Sequence, residues 1–337
     1  MTRSRIPARL LPLLGVLVLV LTACGSSPRA ASAGTTTIKF SFDWKCGMDW
    51  APMLWAERNG YFAAQHVDVK AVTGDGASAV VPLVASGEQD AAQVSAPPVV
   101  LGAAEELPVT IVGVLMADSP VVLFADGSIK QPKDLEGKKV AVQVQEFEGA
   151  VWKAFVEDTG LDESKIEEVP ASGTSNTLFI DHRVDAFISF YPDLGTPSLT
   201  TGRRGEETLF FMKDYAPTYG HTIIANNRFL QKNPDAVRGF LRAWAEGMKY
   251  TIAHPQESVD AIIARCPEVE RSNAEFSVKT YAALWNSQQS KQNGLLSFTP
   301  QGLDQTKDVL VGGGLMKDTA LGKLSSSSYL PNPPIRP

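Results

Sequence analysis

Carboxylates and flat rings recur directly after apolar, strand-like runs in this 337-residue chain. The run ending at Phe42 is followed by Asp43, Trp44, Lys45, Asp49 and Trp50, the run Val67 to Val72 by Asp75, and the run Asp90 to Val94 by Ser95. Farther on, Lys139 to Val144 leads into Gln145, Glu146, Phe147 and Glu148, and Asp185 to Phe190 leads into Tyr191 and Asp193. In open sheets with helices on both faces, ligands sit outside the carboxyl ends of the strands, where these residues fall. Six acids (Asp43, Asp49, Asp75, Glu146, Glu148 and Asp193) stand there against one cation, Lys45. A small oxyanion is normally held by bare N–H groups, hydroxyls and Arg or Lys. A carboxylate about 4 Å away would repel it by roughly 4 kcal/mol at an effective dielectric near 20. The pattern therefore suits a ligand that is positively charged or rich in N–H donors. Trp44, Trp50, Phe147 and Tyr191 add stacking faces. A planar, amino-substituted heterocycle has both features.

Several of these residues also suit purely structural work. Asp49 can cap the helix expected from Ala51, and Glu146 and Glu148 can complement the dipole of a following helix. Asp75 in Gly74-Asp75-Gly76 fits a turn, and Trp50, like Trp55, fits a core position. Trp244 belongs to a helical apolar stripe, while Trp285 is open between core and cleft roof. His66, His182 and His254 read as surface or packing residues.

The elements that must position these groups follow from periodicity. Ile38, Phe40 and Phe42 alternate with polar residues as a strand does. A helix is expected from Ala51, with Pro52 in its first turn and Gly60 ending it. A strand at Val67–Val72, a helix at Ala77–Ser86 closed by Gly87, a strand at Asp90–Val94 and a helix at Pro98–Glu106 follow. Further strands are expected at Val109–Met116 and Val121–Phe124, and the alternation then restarts with a strand from Lys139 and a helix from Gly149 to Thr159. Leu83–Ala91 and Leu178–Ala186 echo each other, each a helix end, a tight turn and then Asp-Ala entering an apolar strand. After a strand at Thr222–Ala225, Val237, Phe240, Leu241, Trp244 and Met248 keep the helical period, and helices near Ser258–Arg265 and Ala274–Trp285 complete the body. Strand–helix alternation implies mostly parallel sheets covered by helices.

Arg3, Arg5 and Arg9 precede an apolar run, Leu10 to Leu21, shorter than the roughly 20 residues of a spanning helix, so it reads as a secretory signal. Leu21-Thr22-Ala23-Cys24 resembles the bacterial lipobox, which makes Cys24 the expected lipidation site and Gly25 to Thr36 a flexible tether. Without the signal, 28 basic residues face 37 acidic ones. No basic stripe survives to serve a nucleic acid. Cys46 and Cys266 are 220 positions apart; two unpaired thiols are the preferred expectation, with a disulfide left open. Nothing matches the signatures of serine hydrolases, phosphate-binding loops, zinc proteases or dithiol redox sites, so neither an enzyme nor a cofactor is expected.

A lipid-anchored, two-lobed α/β chain with helices at its C-terminus resembles the solute-binding component of a bacterial ABC importer. Phe42-Asp43-Trp44 followed by Ala56-Glu57-Arg58-Asn59-Gly60-Tyr61-Phe62, Leu135-Glu136-Gly137-Lys138-Lys139-Val140, and Asn226-Asn227-Arg228-Phe229-Leu230 with Asn233-Pro234 resemble the subfamily of nitrate, sulfonate, taurine and thiamine-pyrimidine binding proteins. The resemblance spans residues 36 to about 316. It implies a type II periplasmic-binding-protein fold: two doubly wound lobes joined by a two-crossover hinge near Met116–Asp126 and Met212–His221, closing on a ligand in the cleft. The implied organisation is signal 1–23, tether 24–36, first lobe 37–120 and 217–320, second lobe 121–216, and a loose tail 321–337. His221, beside the second crossover, joins the ligand-binding candidates. Gln145-Glu146-Phe147-Glu148 also resembles the Gly-Glu-Phe-Gly turn of yeast thiamine-pyrimidine synthases, through Glu146 and Phe147 only. The cysteine-rich run of those synthases is missing from this sequence. The function implied is extracytoplasmic capture of a thiamine-related pyrimidine by a membrane-tethered monomer that serves an ABC permease. A flavin or a small sulfonate or nitrate-like anion is the alternative cargo, and a receptor sensor or a synthase the alternative class.

Overall fold

The period-2 run at the start of the body forms β1 (Thr36–Phe42), which buries Ile38, Phe40 and Phe42. A computed structural model describes residues 34–142, 147–171, 174–192 and 207–337. The expected signal, Cys24, Glu146 and Asp193 lie outside the described residues. After β1 come α1 (Ala51–Arg58), α2 (Tyr61–Ala64), β2 (Val67–Val72), α3 (Ala77–Ser86), β3 (Ala91–Ser95), α4 (Ala96–Ala103) and β4 (Val109–Val114). Then follow β5 (Val121–Asp126), β6 (Lys139–Val142), α5 (Phe147–Thr159), β7 (Glu167–Pro170), α6 (Ser175–Ile180), β8 (Ala186–Phe190) and β9 (Glu207–Phe211). The chain continues through β10 (His221–Asn226), α7 (Asn227–Lys232), α8 (Pro234–Ala253), α9 (Pro255–Arg265), α10 (Arg271–Trp285), α11 (Gln288–Asn293) and α12 (Pro300–Gly312). Among the described residues no helix is long and apolar enough to cross a membrane.

Among the described residues the strands form two five-stranded sheets of matching design, ordered β2-β1-β3-β10-β4 and β7-β6-β8-β5-β9. β1 runs parallel to β2 and β3, and β6 parallel to β7 and β8. One strand in each sheet arrives from across the molecule and runs antiparallel: β10 between β3 and β4, and β5 between β8 and β9. The Asp-Ala echo marks the same joint in both sheets. The Asp90 carboxylate accepts from Lys39 N–H at 2.9 Å and the Asp185 carboxylate from Lys139 N–H at 2.8 Å, each aspartate closing the pair with its own N–H. This is the type II periplasmic-binding-protein architecture, two mixed sheets flanked by helices.

Two crossovers, residues 115–120 and 212–220, join the sheets and hydrogen-bond side by side. Gly220 N–H donates to Met116 O at 3.1 Å, and Leu115 N–H to His221 O at 2.8 Å. A Cβ on Gly220 would lie 2.9 Å from that of Met116, so the approach needs glycine. α12 bridges the halves as well, packing on α4 and α5.

Two expectations are overturned. Cys46 and Cys266 form a disulfide, with Cα atoms 5.8 Å apart, because the loop after α9 folds over the loop after β1. The tail is not loose. Ser325 pairs with Ile111, Leu324 and Ile335 are buried, and Arg238 and Arg242 hold the carbonyls of Ser328 and Asn332. Arginines on the outer face of α8 thus occupy tail carbonyls that a Ser/Pro composition would leave to water.

Candidate functional site

The carboxyl ends of β1 and β3 and the amino end of antiparallel β10 bring five polar side chains together. Asp43, Asp49, Ser95 and His221 are 5–6% exposed and Gln93 is 0% exposed. Asp43 Oδ2 accepts from the Ser95 backbone N–H at 3.1 Å and lies 3.9 Å from His221 Nε2. Gln93 Nε2 donates to Asp49 Oδ2 at 2.7 Å and sits 3.4 Å from His221 Nδ1. Burial pushes the Asp43 carboxyl above its usual range, opposed by the charge that His221 carries when protonated and by the Ser95 N–H bond. Register explains the cluster, since His221 pairs with Ser95 and Ile223 with Gln93.

The second sheet meets this cluster at the end of β8. The Phe190 ring stacks on His221 with centroids 5.6 Å apart, and Tyr281 of α10 flanks the imidazole at 6.5 Å. Tyr191 packs edge-on against Phe276 of α10 at 5.1 Å, and the Ser277 hydroxyl donates to Pro192 O. Burial, and then the charge of Glu207, raise the Tyr191 hydroxyl above its usual range. The site therefore lies on the seam between the two sheets. Among the described residues no group of three or more His, Cys, Asp or Glu could hold a metal ion.

The sequence candidates divide accordingly. Asp43, Ser95 and His221 meet directly, Asp49 joins through Gln93, and Tyr191, next to Phe190, packs among Phe124, Phe211 and Phe276. Ser95 acts on Asp43 through its N–H. Trp44 stands beside them, 53% exposed, with the Lys45 ammonium 5.9 Å from its ring centre. Trp50 is a correction: it is 2% exposed and stacked on Phe42 at 4.1 Å, part of the core beneath the site. Trp285 is likewise core. Asp75 is an exposed residue of its turn, and its neighbour Gly76 donates its N–H to Asp43 O at 2.7 Å. Glu148 is buried in the first turn of α5, and Phe147 begins that helix. Gln93 was missed. A polar residue inside an apolar strand was the available signal, since a buried amide needs partners.

Residues 48–258 match the model of the family described as NMT1/THI5 like. The chain belongs to that family. It is 23% identical over 256 residues to a formylaminopyrimidine-binding protein of Halalkalibacterium halodurans, covering 74% of this chain and 77% of that protein. It is 26% identical over 261 residues to a 4-amino-5-hydroxymethyl-2-methylpyrimidine phosphate synthase of Saccharomyces cerevisiae, covering 73% and 75%. Among solved structures, the alkanesulfonate-binding protein SsuA of Xanthomonas axonopodis pv. citri superposes with a TM-score of 0.65 at 12% identity, covering 88% of this chain and 99% of that one. That likeness is one of fold.

Proposed function

We propose that this NMT1/THI5-like chain is the extracytoplasmic substrate-binding protein of an ABC importer, capturing a small aromatic nitrogen heterocycle, a thiamine-related pyrimidine, between its lobes. The observation that carries the reading is the buried Asp43 carboxylate facing His221 across 3.9 Å on the seam. That gap is too wide for a direct hydrogen bond, so each group keeps capacity for a ligand atom. An N–H donor would satisfy Asp43, whereas an oxyanion would meet its charge. Trp44 and Tyr191 supply flat apolar faces nearby, and the hydrogen-bonded crossovers suit hinge closure. Both relatives described above carry pyrimidines in their names, one as a binder and one as a synthase. Binding is favoured over synthesis because Cys46 and Cys266 are joined in a disulfide, a state that persists in oxidising compartments. Anchoring through Cys24 belongs to the same reading, and Cys24→Ala should release the protein from the membrane without changing affinity.

The test is a thermal-shift and calorimetry panel of 4-amino-5-hydroxymethyl-2-methylpyrimidine, its formylamino relative, riboflavin, taurine and nitrate. A ligand at 100 times its Kd stabilises the protein by about 2.7 kcal/mol. A response to the pyrimidines alone supports the reading. A response to taurine or nitrate alone refutes the carboxylate argument, and one to riboflavin alone moves the cargo to the larger heterocycle.

A further inference from the structure

The buried amide of Gln93 has a choice of orientation that its neighbours remove. Asp49 Oδ2 lies 2.7 Å from one terminal atom of the amide, and a carboxylate oxygen only accepts. The opposite orientation would set two acceptors against each other, so the NH₂ group faces Asp49. The same NH₂ lies 3.4 Å from His221 Nδ1. An amide NH₂ only donates, so Nδ1 must be the bare nitrogen and the proton of the neutral ring sits on Nε2. Gln93 Oε1 has no partner among the described residues, which marks the orientation as one imposed by Asp49 and His221. Nε2 is the nitrogen directed at Asp43, whose carboxylate is itself oriented by the Ser95 N–H. Phe190 and Tyr281 flank the faces of the ring and leave its edge to these polar contacts.

We propose that Gln93 is a positioning residue that holds His221 as its Nε2–H tautomer, so that a donor on His221 and an acceptor on Asp43 stand side by side to read a ligand edge carrying an acceptor beside an N–H donor, as an amidine does. This rests on the proposed heterocycle-binding function and deepens it. A 4-aminopyrimidine offers that edge: its ring nitrogen accepts from His221 and its exocyclic amine donates to Asp43. An imidazole protonated on Nδ1 would present a lone pair beside the carboxylate and repel the ring nitrogen.

The experiment has two arms on the full chain. In the first, ¹⁵N-histidine NMR of the ligand-free protein at neutral pH reads which nitrogen of His221 bears the proton, in wild type, Gln93→Met and Asp49→Leu, the last of which removes the acceptor that orients the amide. Wild type should show Nε2–H, and each variant should gain the other tautomer. In the second, calorimetry compares 4-amino-2-methylpyrimidine with its N,N-dimethyl derivative. Wild type should favour the amine, and Gln93→Met should lose roughly tenfold in affinity for it. A wild type carrying its proton on Nδ1, or variants with an unchanged tautomer, overturns the positioning role. An Nε2–H wild type that binds neither probe overturns the edge-reading, and there it is the functional reading that has failed. If Gln93→Met does not fold, Asp49→Leu, which removes the acceptor at similar side-chain size, gives the same tautomer readout.

Discussion

Replacing Asp43 by Asn removes a charge while keeping the shape, and its two effects should have opposite signs. Asp43 is 6% exposed, and its best-defined partner is the Ser95 N–H at 3.1 Å, a bond that an Asn oxygen can still accept. Burial dominates and raises the folded-state pKa above 3.8. A raised carboxyl favours folding at pH values below the unfolded value, and that contribution is lost as pH rises through the folded value. At neutral pH the ionised group therefore opposes folding, and Asp43→Asn should stabilise the ligand-free protein by about 1 kcal/mol, or roughly 2–4 °C in Tm. The gain should vanish as pH falls below 3.8, where both side chains are neutral. Affinity for an aminopyrimidine should fall at the same time. A hydrogen bond to a charged group contributes about 1.5–3 kcal/mol, so Kd should weaken roughly 10- to 150-fold. Scanning calorimetry across pH and titration calorimetry read the two effects. A variant that is less stable at neutral pH, or that binds as tightly as wild type, refutes the reasoning.

Trp44→Ala should change stability by less than about 0.5 kcal/mol, because the ring is exposed, yet weaken a stacking heterocycle by about 1 kcal/mol; an unaltered Kd removes Trp44 from the site. The double variant Cys46→Ser, Cys266→Ser opens a tie spanning 220 residues and should cost about 2–4 kcal/mol in urea unfolding, an effect that dithiothreitol should reproduce in wild type and not in the variant. Gly247→Ala places a Cβ 1.9 Å from Pro52 O, where α8 crosses α1 backbone to backbone, and should cost about 2–3 kcal/mol; a urea midpoint within error of wild type would show that the helices separate freely.

The strands and helices were readable where local pattern and burial agree. Ile38, Phe40 and Phe42 alternate because one face of β1 turns to the core, and the Asp-Ala echo proved to be one joint used twice, at Asp90 and Asp185. What the pattern could not carry is pairing between distant segments. Cys46 meets Cys266 only because the loop after α9 lies on the loop after β1. The Ser/Pro-rich tail is ordered by arginines about 90 residues earlier, which no composition rule reaches. At the site, charge counting located Asp43 and Asp49 in the strand-end loops but could not tell that both turn inward, nor that Trp50 is spent on Phe42. Gln93 escaped because its meaning depends on β10, which arrives 128 residues later with His221.

The two lobes do not become self-sufficient in the order in which they are written. β5 to β9 run consecutively from Val121 to Phe211, so the second sheet has all of its strands in one stretch of chain. The first sheet waits for β10, and until His221–Asn226 is inserted, β3 and β4 each present a bare edge able to recruit another chain. A newly made molecule should therefore complete its interior lobe before the one that begins it, with a sticky half-built sheet in the interval. The last strand to be inserted brings His221 with it, so the recognition groups come into register only when the whole molecule has folded.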